Sequence, residues 1–260
     1  MLNAIPRPLV FADLDDTLFQ TKRKMVDELA QEPYRAGALD REGKERSFMN
    51  EEQANLVDWF LAHATLIPVT ARGTEEISRV KIPFLSWAIT THGAVVLTPS
   101  GAVDEQWQAK IVAQLATYQT RIPELQAHLT KAFKQAKVAA WARINSEYDG
   151  TAIYLVAKHT DSTRLDELYA VAQQVTEELG LDDFYVHTNS NNIAWLPHCI
   201  EKGLAAQYLI DKLRAKQGSV PILGLGDSLS DHSFLRHCSW FGMPKQSQLA
   251  SYLSNALAEQ

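Results

Sequence analysis

The stretch Leu9-Val10-Phe11-Ala12 is apolar throughout and runs straight into Asp13, Asp15 and Asp16, three carboxylates within four residues. A short, wholly apolar run of this kind reads as a buried strand. Residues two apart on extended chain point the same way, so Asp13 and Asp15 share a side. At the carboxyl end of a parallel strand, that side faces the crevice where open α/β sheets take their ligands. Crowded carboxylates repel one another unless a cation or a shared proton relieves them. The stretch therefore asks for a divalent metal, for acid–base chemistry, or for both. The plain alternative is a turn followed by a helix N-cap, and the rest of the chain has to decide between them.

Downstream, residues 22–50 are polar, with a turn-like Asp40-Arg41-Glu42-Gly43, and read as a long loop of the functional kind. A helix follows. Asn50 can cap it, Gln53 completes a capping box, and Leu56, Val57, Phe60 and Leu61 form its apolar face. Thr65 to Thr70 reads as a second buried strand ending in Thr70-Ala71-Arg72-Gly73, and Trp87 to Thr90 as a third. This β-loop-α-β-α-β order predicts a parallel sheet.

The pattern then changes. Residues 104–120 and 122–136 are helical in pattern. Lys137–Asn145 and Thr151–Lys158 read as a hairpin, and Leu165, Leu168, Val171, Val175 and Leu179 mark a helix. Asp183–Thr188 and Asn192–Leu196 add two strands. The order α-α-β-β-α-β-β is an α+β insert, large enough for its own layer. From Glu201 the α/β pattern returns. Lys202 opens a helix with Leu204, Tyr208, Leu209 and Leu213 inward, and Pro221–Gly226 is an apolar strand ending in Asp227-Ser228-Leu229-Ser230-Asp231. The expected fold is thus a doubly wound, mostly parallel Rossmann-like sheet, built from residues 1–96 and 191–260, with an α+β domain of residues 97–190 inserted.

Three buried strands thus end in polar clusters: Asp13/Asp15, Thr70/Arg72 and Asp227/Asp231. In a doubly wound sheet these ends converge with Lys202 on one crevice. A chance turn explains one cluster and explains three poorly. With a net charge of −6 and no basic stripe, Lys22-Arg23-Lys24 being only three residues long, nothing in the sequence suggests a nucleic-acid partner. Cys199 and Cys238 lie far apart without ligand-like spacing, which fits a reducing compartment. With no apolar run of membrane-spanning length and no signal-peptide pattern, a cytoplasmic location is expected. His92, His187 and His198 are scattered and form no metal set. Gly224-Leu225-Gly226 lacks the third glycine of a dinucleotide fingerprint and lies late in the chain.

The combination resembles the haloacid dehalogenase superfamily of aspartate-nucleophile phosphatases. Asp13-Leu14-Asp15-Asp16-Thr17 is similar to its D-x-D-x-T motif, Thr70 to its second motif, Lys202 to its third, and Gly226-Asp227-Ser228-Leu229-Ser230-Asp231 to its fourth, G-D-x-x-x-D. The resemblance covers the whole chain. Its insert is similar to the type IIB cap of sucrose-phosphate, mannosyl-phosphoglycerate and broad sugar-phosphate phosphatases. Those relatives often carry Asn before the last Asp of the fourth motif, where this chain has Ser230, a shorter hydrogen-bonding group.

The resemblance implies an Mg²⁺-dependent phosphoric monoester hydrolase acting on a small phosphate ester, a sugar phosphate, through an aspartyl-phosphate. Asp13 is then the nucleophile and Asp15 the general acid and base. The ion, which suits oxygen ligands and a phosphate, sits on the Asp13 and Asp227 carboxylates and the Asp15 main-chain carbonyl. Asp231 and Ser230 support that set from behind. Thr70 and Lys202 bind the phosphoryl group. Arg72 pairs with the phosphate or with a helix carboxylate, and Arg143, Tyr148, His187 and Asn189 are candidate substrate contacts on the insert. A phosphomutase, or a sugar-phosphate-binding protein without catalysis, are the alternatives. The sequence leaves the substrate's identity and the oligomeric state open.

Overall fold

The computed structural model describes residues 7–189 and 192–258; the side chain of Asn189 lies outside the described set. In chain order the elements are β1 (Leu9–Ala12), β2 (Gln20–Thr21), a π-helical turn (Lys24–Glu28), β3 (Arg35–Leu39), β4 (Glu45–Met49), α1 (Glu51–His63), β5 (Thr65–Pro68), α2 (Thr74–Ile77), β6 (Ala88–Thr90) and β7 (Val95–Leu97). There follow α3 (Glu105–Leu115), α4 (Tyr118–Ala136), β8 (Ala140–Glu147), β9 (Thr151–His159), α5 (Leu165–Leu179), β10 (Phe184–Asn189) and β11 (Asn192–Pro197). The chain closes with α6 (Lys202–Gln217), β12 (Ile222–Leu225), α7 (His232–Leu235), β13 (Trp240–Gly242) and α8 (Gln248–Ala258).

Two compact units result. One comprises the chain up to Trp107 together with Glu201 onward, the other Gln108–Ile200. The first is organised on a parallel sheet in the order β13-β12-β1-β5, with Leu9 opposite both Ile222 and Thr65. The β6–β7 hairpin joins its edge through a parallel bridge between Val69 and Ile89. Burial of all four β1 residues, each at most 1% exposed, explains the unbroken apolar run. Val10 and Ala12 pack with Ala54, Val57 and Phe60 of α1, whose capping box forms as expected: Gln53 N donates to Asn50 Oδ1 (2.8 Å) and Asn50 N to Gln53 Oε1 (3.1 Å). Leu56 and Leu204 were expected inward but are 41% and 40% exposed. Each falls one position off the buried stripe of its helix.

Residues 22–50 are not a long loop. They hold most of a three-stranded antiparallel sheet, β2-β4-β3. Asp40 Oδ1 accepts from Glu42 N and Lys44 N and so closes the turn between β3 and β4.

The second unit is an antiparallel sheet in the order β10-β11-β9-β8. Leu155, Ala157, Ile193 and Trp195 pack against Ile122, Leu125, Leu129 and Phe133 of α4 and Leu168, Val171 and Val175 of α5. β11 pairs with both β9 and β10, so the last strand of the expected α-α-β-β-α-β-β order lies in this sheet, past the expected boundary at residue 190. β7, by contrast, stays with the first unit. The divisions therefore fall after Trp107 and after Ile200 rather than at 97 and 190. Among the described residues no helix is long and apolar enough to cross a membrane.

Candidate active site

Asp13 follows β1 directly, and its N–H donates to Leu225 O of the neighbouring strand (2.9 Å). That bond continues the β1–β12 ladder past the strand's end and fixes where the carboxylate emerges. Its Oδ1 accepts from Lys202 Nζ at 2.7 Å, and the same ammonium donates to Asp231 Oδ1 at 2.7 Å. Lys202 is the first residue of α6 and only 9% exposed; Asp13 is 5% exposed and Asp231 fully buried. Asp231 is also held through Oδ2, which accepts from Ser228 Oγ (2.7 Å), Ser228 N (3.0 Å) and Asp227 N (3.2 Å). Gly226 permits this close folding, since a Cβ there would stand 2.6 Å from that of Asp231. Thr17 Oγ1 lies 3.4 Å from both Asp13 Oδ2 and Asp227 Oδ1. Asp13, Asp227 and Asp231 each place a carboxylate oxygen within 4.8 Å of the others.

These charges do not balance. Burial, helped by the charges of Asp231 and Asp227, pushes the Asp13 carboxyl well above its ordinary range, against the pull of Lys202. Burial and the neighbouring Asp231 and Asp16 charges lift Asp227 to about 7. Asp231 goes the other way: burial opposes its charge, but Lys202 and the Ser228 hydrogen bonds hold it below the usual value. Burial likewise disfavours the Lys202 ammonium, yet Asp13 and Asp231 raise its pKa far above that of a free lysine. One ammonium among three clustered carboxylates leaves negative charge uncompensated. The donors are all hard oxygens, which fits a divalent cation such as Mg²⁺.

Thr70, nearly fully buried, follows β5; its Oγ1 accepts from Arg72 N (3.1 Å), leaving the hydroxyl proton to donate elsewhere. Arg72 pairs with a loop carboxylate, Asp15. Its Nε and terminal nitrogen grip both oxygens of Asp15, each at 2.7 Å, and the guanidinium lies 5.2 Å from the Phe19 ring centroid. Ser230 Oγ sits 2.9 Å from Ser228 Oγ, one step removed from Asp231. Besides the Arg72–Asp15 pairing, two contacts escaped sequence reading: the Thr17 hydroxyl between Asp13 and Asp227, and a 2.8 Å ion pair of Lys24 with Asp16. Thr17 carried a signal, its place inside the carboxylate motif; Lys24 carried none.

In the second unit, Arg143 stands opposite Val156, Val156 opposite Ala194, and Ala194 opposite His187. Arg143 and His187 thus share one row on the sheet face opposite α4 and α5. Arg143 donates to Asn145 Oδ1 (3.1 Å) and lies over the Trp141 ring (5.8 Å), while Tyr185 flanks His187. Tyr148 lies in the β8–β9 turn with a positive φ of 52°.

No protein-family model matches the chain, and no curated protein is significantly similar to it. Solved structures are similar over nearly its full length. They include a Synechocystis sucrose-phosphatase in complex with sucrose and phosphate, at 17% identity and TM-score 0.52, covering 98% of both chains. A haloacid dehalogenase-like hydrolase from Bacteroides thetaiotaomicron gives 10% identity and TM-score 0.51, covering 96% of this chain and 100% of that one. The C-terminal domain of C. albicans trehalose-6-phosphate phosphatase gives 16% identity and TM-score 0.50, covering 88% and 73%. The chain has the fold of the haloacid dehalogenase-like hydrolases.

Proposed function

We propose that this protein is an Mg²⁺-dependent phosphatase that hydrolyses a small sugar phosphate through an aspartyl-phosphate. The observation that carries the reading is the buried Asp13–Lys202–Asp231 chain with Asp227 beside it: excess carboxylates at the carboxyl ends of parallel strands, arranged round one ammonium. The Asp13 and Asp227 carboxylates and the Asp15 carbonyl would hold the ion, which when bound offsets the repulsion between an anionic nucleophile and a phosphate ester.

Lys202 fixes the Asp13 carboxylate by its Oδ1. An Asp13 oxygen forms the bond to phosphorus as the bond to the leaving oxygen breaks, and Asp15 gives that oxygen its proton. Asp15 then takes a proton from water, whose oxygen displaces Asp13 and releases inorganic phosphate. Arg72 meanwhile holds both oxygens of Asp15. Transfer of Arg72 to the incoming phosphoryl oxygens frees the Asp15 carboxyl to turn toward the leaving oxygen. Thr70 donates its hydroxyl to the same oxygens. Support for a sugar as the leaving group comes from the second unit's sheet, whose face opposite the helices sets Arg143 and His187 beside Trp141 and Tyr185. Aromatic faces with polar neighbours suit a polyol.

Phosphate release across a panel of phosphorylated metabolites tests this. Turnover should vanish in excess chelator, return with Mg²⁺ and be lost in Asp13→Asn. Undiminished turnover in chelator, or net inversion at a chiral phosphorus, would rule the scheme out, since two in-line displacements retain configuration.

A further inference from the structure

The turn joining β6 to β7 is strained and lies against both sides of the site. Thr91, His92 and Gly93 are consecutive left-handed residues, with φ of 52°, 56° and 96°. Hairpin turns that need positive φ draw on Asn and Gly, and a β-branched residue there is an outlier. Thr90 Oγ1, at the end of β6 just before the turn, is buried without a hydrogen-bond partner. Such conformations persist only where the surroundings over-determine them, and they gather at functional sites.

The surroundings here are specific. Thr91 N donates to Arg72 O at 2.7 Å and His92 N to Thr70 O at 3.1 Å, so the turn holds the main chain on both sides of Ala71. On its other flank a Cβ at Gly93 would stand 2.4 Å from Glu201 O and 3.0 Å from Lys202 N. Nothing larger than glycine fits against the start of α6. From behind, the buried Trp107 indole donates to Gly93 O (3.0 Å) and Ala94 O (3.1 Å) and packs against Tyr208 of α6 at 4.9 Å.

We infer that Thr91 and Gly93 are positioning residues: the strained turn sets the spacing between the Thr70–Arg72 segment and Lys202, and so the fit of the phosphoryl site to its transition state. The inference rests on the phosphatase reading of those residues. The geometry a transferring phosphoryl group requires is narrower than that of bound phosphate. Slack in the turn therefore acts on turnover more than on ground-state binding.

Thr91→Gly keeps the left-handed region accessible but removes the side chain's constraint, so the turn can sample other backbone conformations. With p-nitrophenyl phosphate and Mg²⁺, kcat should fall about ten-fold or more while KM stays within about three-fold. Affinity for orthovanadate should fall by the same factor as kcat, and the melting temperature should be unchanged or higher. Thr91→Asn, which tolerates the left-handed region, should restore most of the kcat. Gly93→Ala should show the same split by displacing Glu201 and Lys202. If Thr91→Gly is stabilised and keeps both kcat and vanadate affinity, the turn merely closes a hairpin and the inference is wrong. If the wild type neither turns over substrate nor binds vanadate or inorganic phosphate, the phosphatase reading falls and takes the inference with it.

Discussion

Lys202 serves two carboxylates at once, so the third, Asp227, is left with its repulsions. Its carboxyl is lifted to about 7 by burial and by Asp231 and Asp16. A carboxyl raised on folding stabilises the fold at low pH, and that contribution is lost as pH rises through the folded value. The metal-free protein should therefore lose stability, up to about 4 kcal/mol from this group, between about pH 4 and pH 7. Asp227→Asn should flatten this part of the profile, and Mg²⁺ should return the loss in the wild type at about pH 8. Melting curves in chelator across that range check it; parallel profiles for the two proteins would contradict it. Arg72→Lys keeps the charge and loses the two-point grip on Asp15. It should lower kcat/KM by about 10- to 100-fold, most for substrates with poor leaving groups. The carboxylates and Lys202 were legible in the sequence because motif spacing on strand and helix ends carries them. Arg72's partner was not, because Asp15 lies 57 residues away and the pairing depends on how two loops meet.

Among the elements, α1 announced itself through Asn50 and Gln53. Asn50→Ala should cost about 1 kcal/mol in chemical denaturation. The β2-β4-β3 sheet did not announce itself: its buried positions include Ser47, Ala38 and Gln20, which spell no apolar alternation. The first turn of α3 shows how a connection is secured. Asp104 Oδ1 accepts from Trp107 N (3.0 Å) and Tyr208 Oη (2.7 Å), and Lys212 binds the other oxygen. Burial works against the charge, but these hydrogen bonds keep the Asp104 carboxyl below its ordinary value. A lowered carboxyl stabilises the fold above its unfolded value, and that contribution goes as pH falls. Asp104→Asn should thus destabilise the protein by about 1–3 kcal/mol near neutrality, with the gap closing below about pH 4. An equal gap at both pH values would show that shape, not charge, matters there.

At the scale of the molecule, the insert's existence was plain from the change in element order. Its limits were not, because β11 reads as a strand whichever sheet it joins. Gln108–Ile200 has its own core, drawn from α4, α5 and its sheet. Expressed alone it should unfold cooperatively. The remainder, joined from Trp107 to Glu201 by a short linker, should still release phosphate from p-nitrophenyl phosphate while losing selectivity among sugar phosphates. Failure of either piece to fold would show that the units depend on each other.

The pairing of Leu9 with Ile222 also sets a timetable for synthesis. At about 5–20 residues per second, a ribosome needs roughly 10–40 s to deliver β12 after β1 has been made. Throughout that interval β1 can dock on β5 along one edge only, and its other edge is an apolar strand open to any passing chain. The insert, ending at Ile200, is finished roughly 1–4 s before β12 and can begin to fold first. A newborn chain of this protein therefore matures from its middle outward, and the segment that carries Asp13 is among the last parts to be sealed.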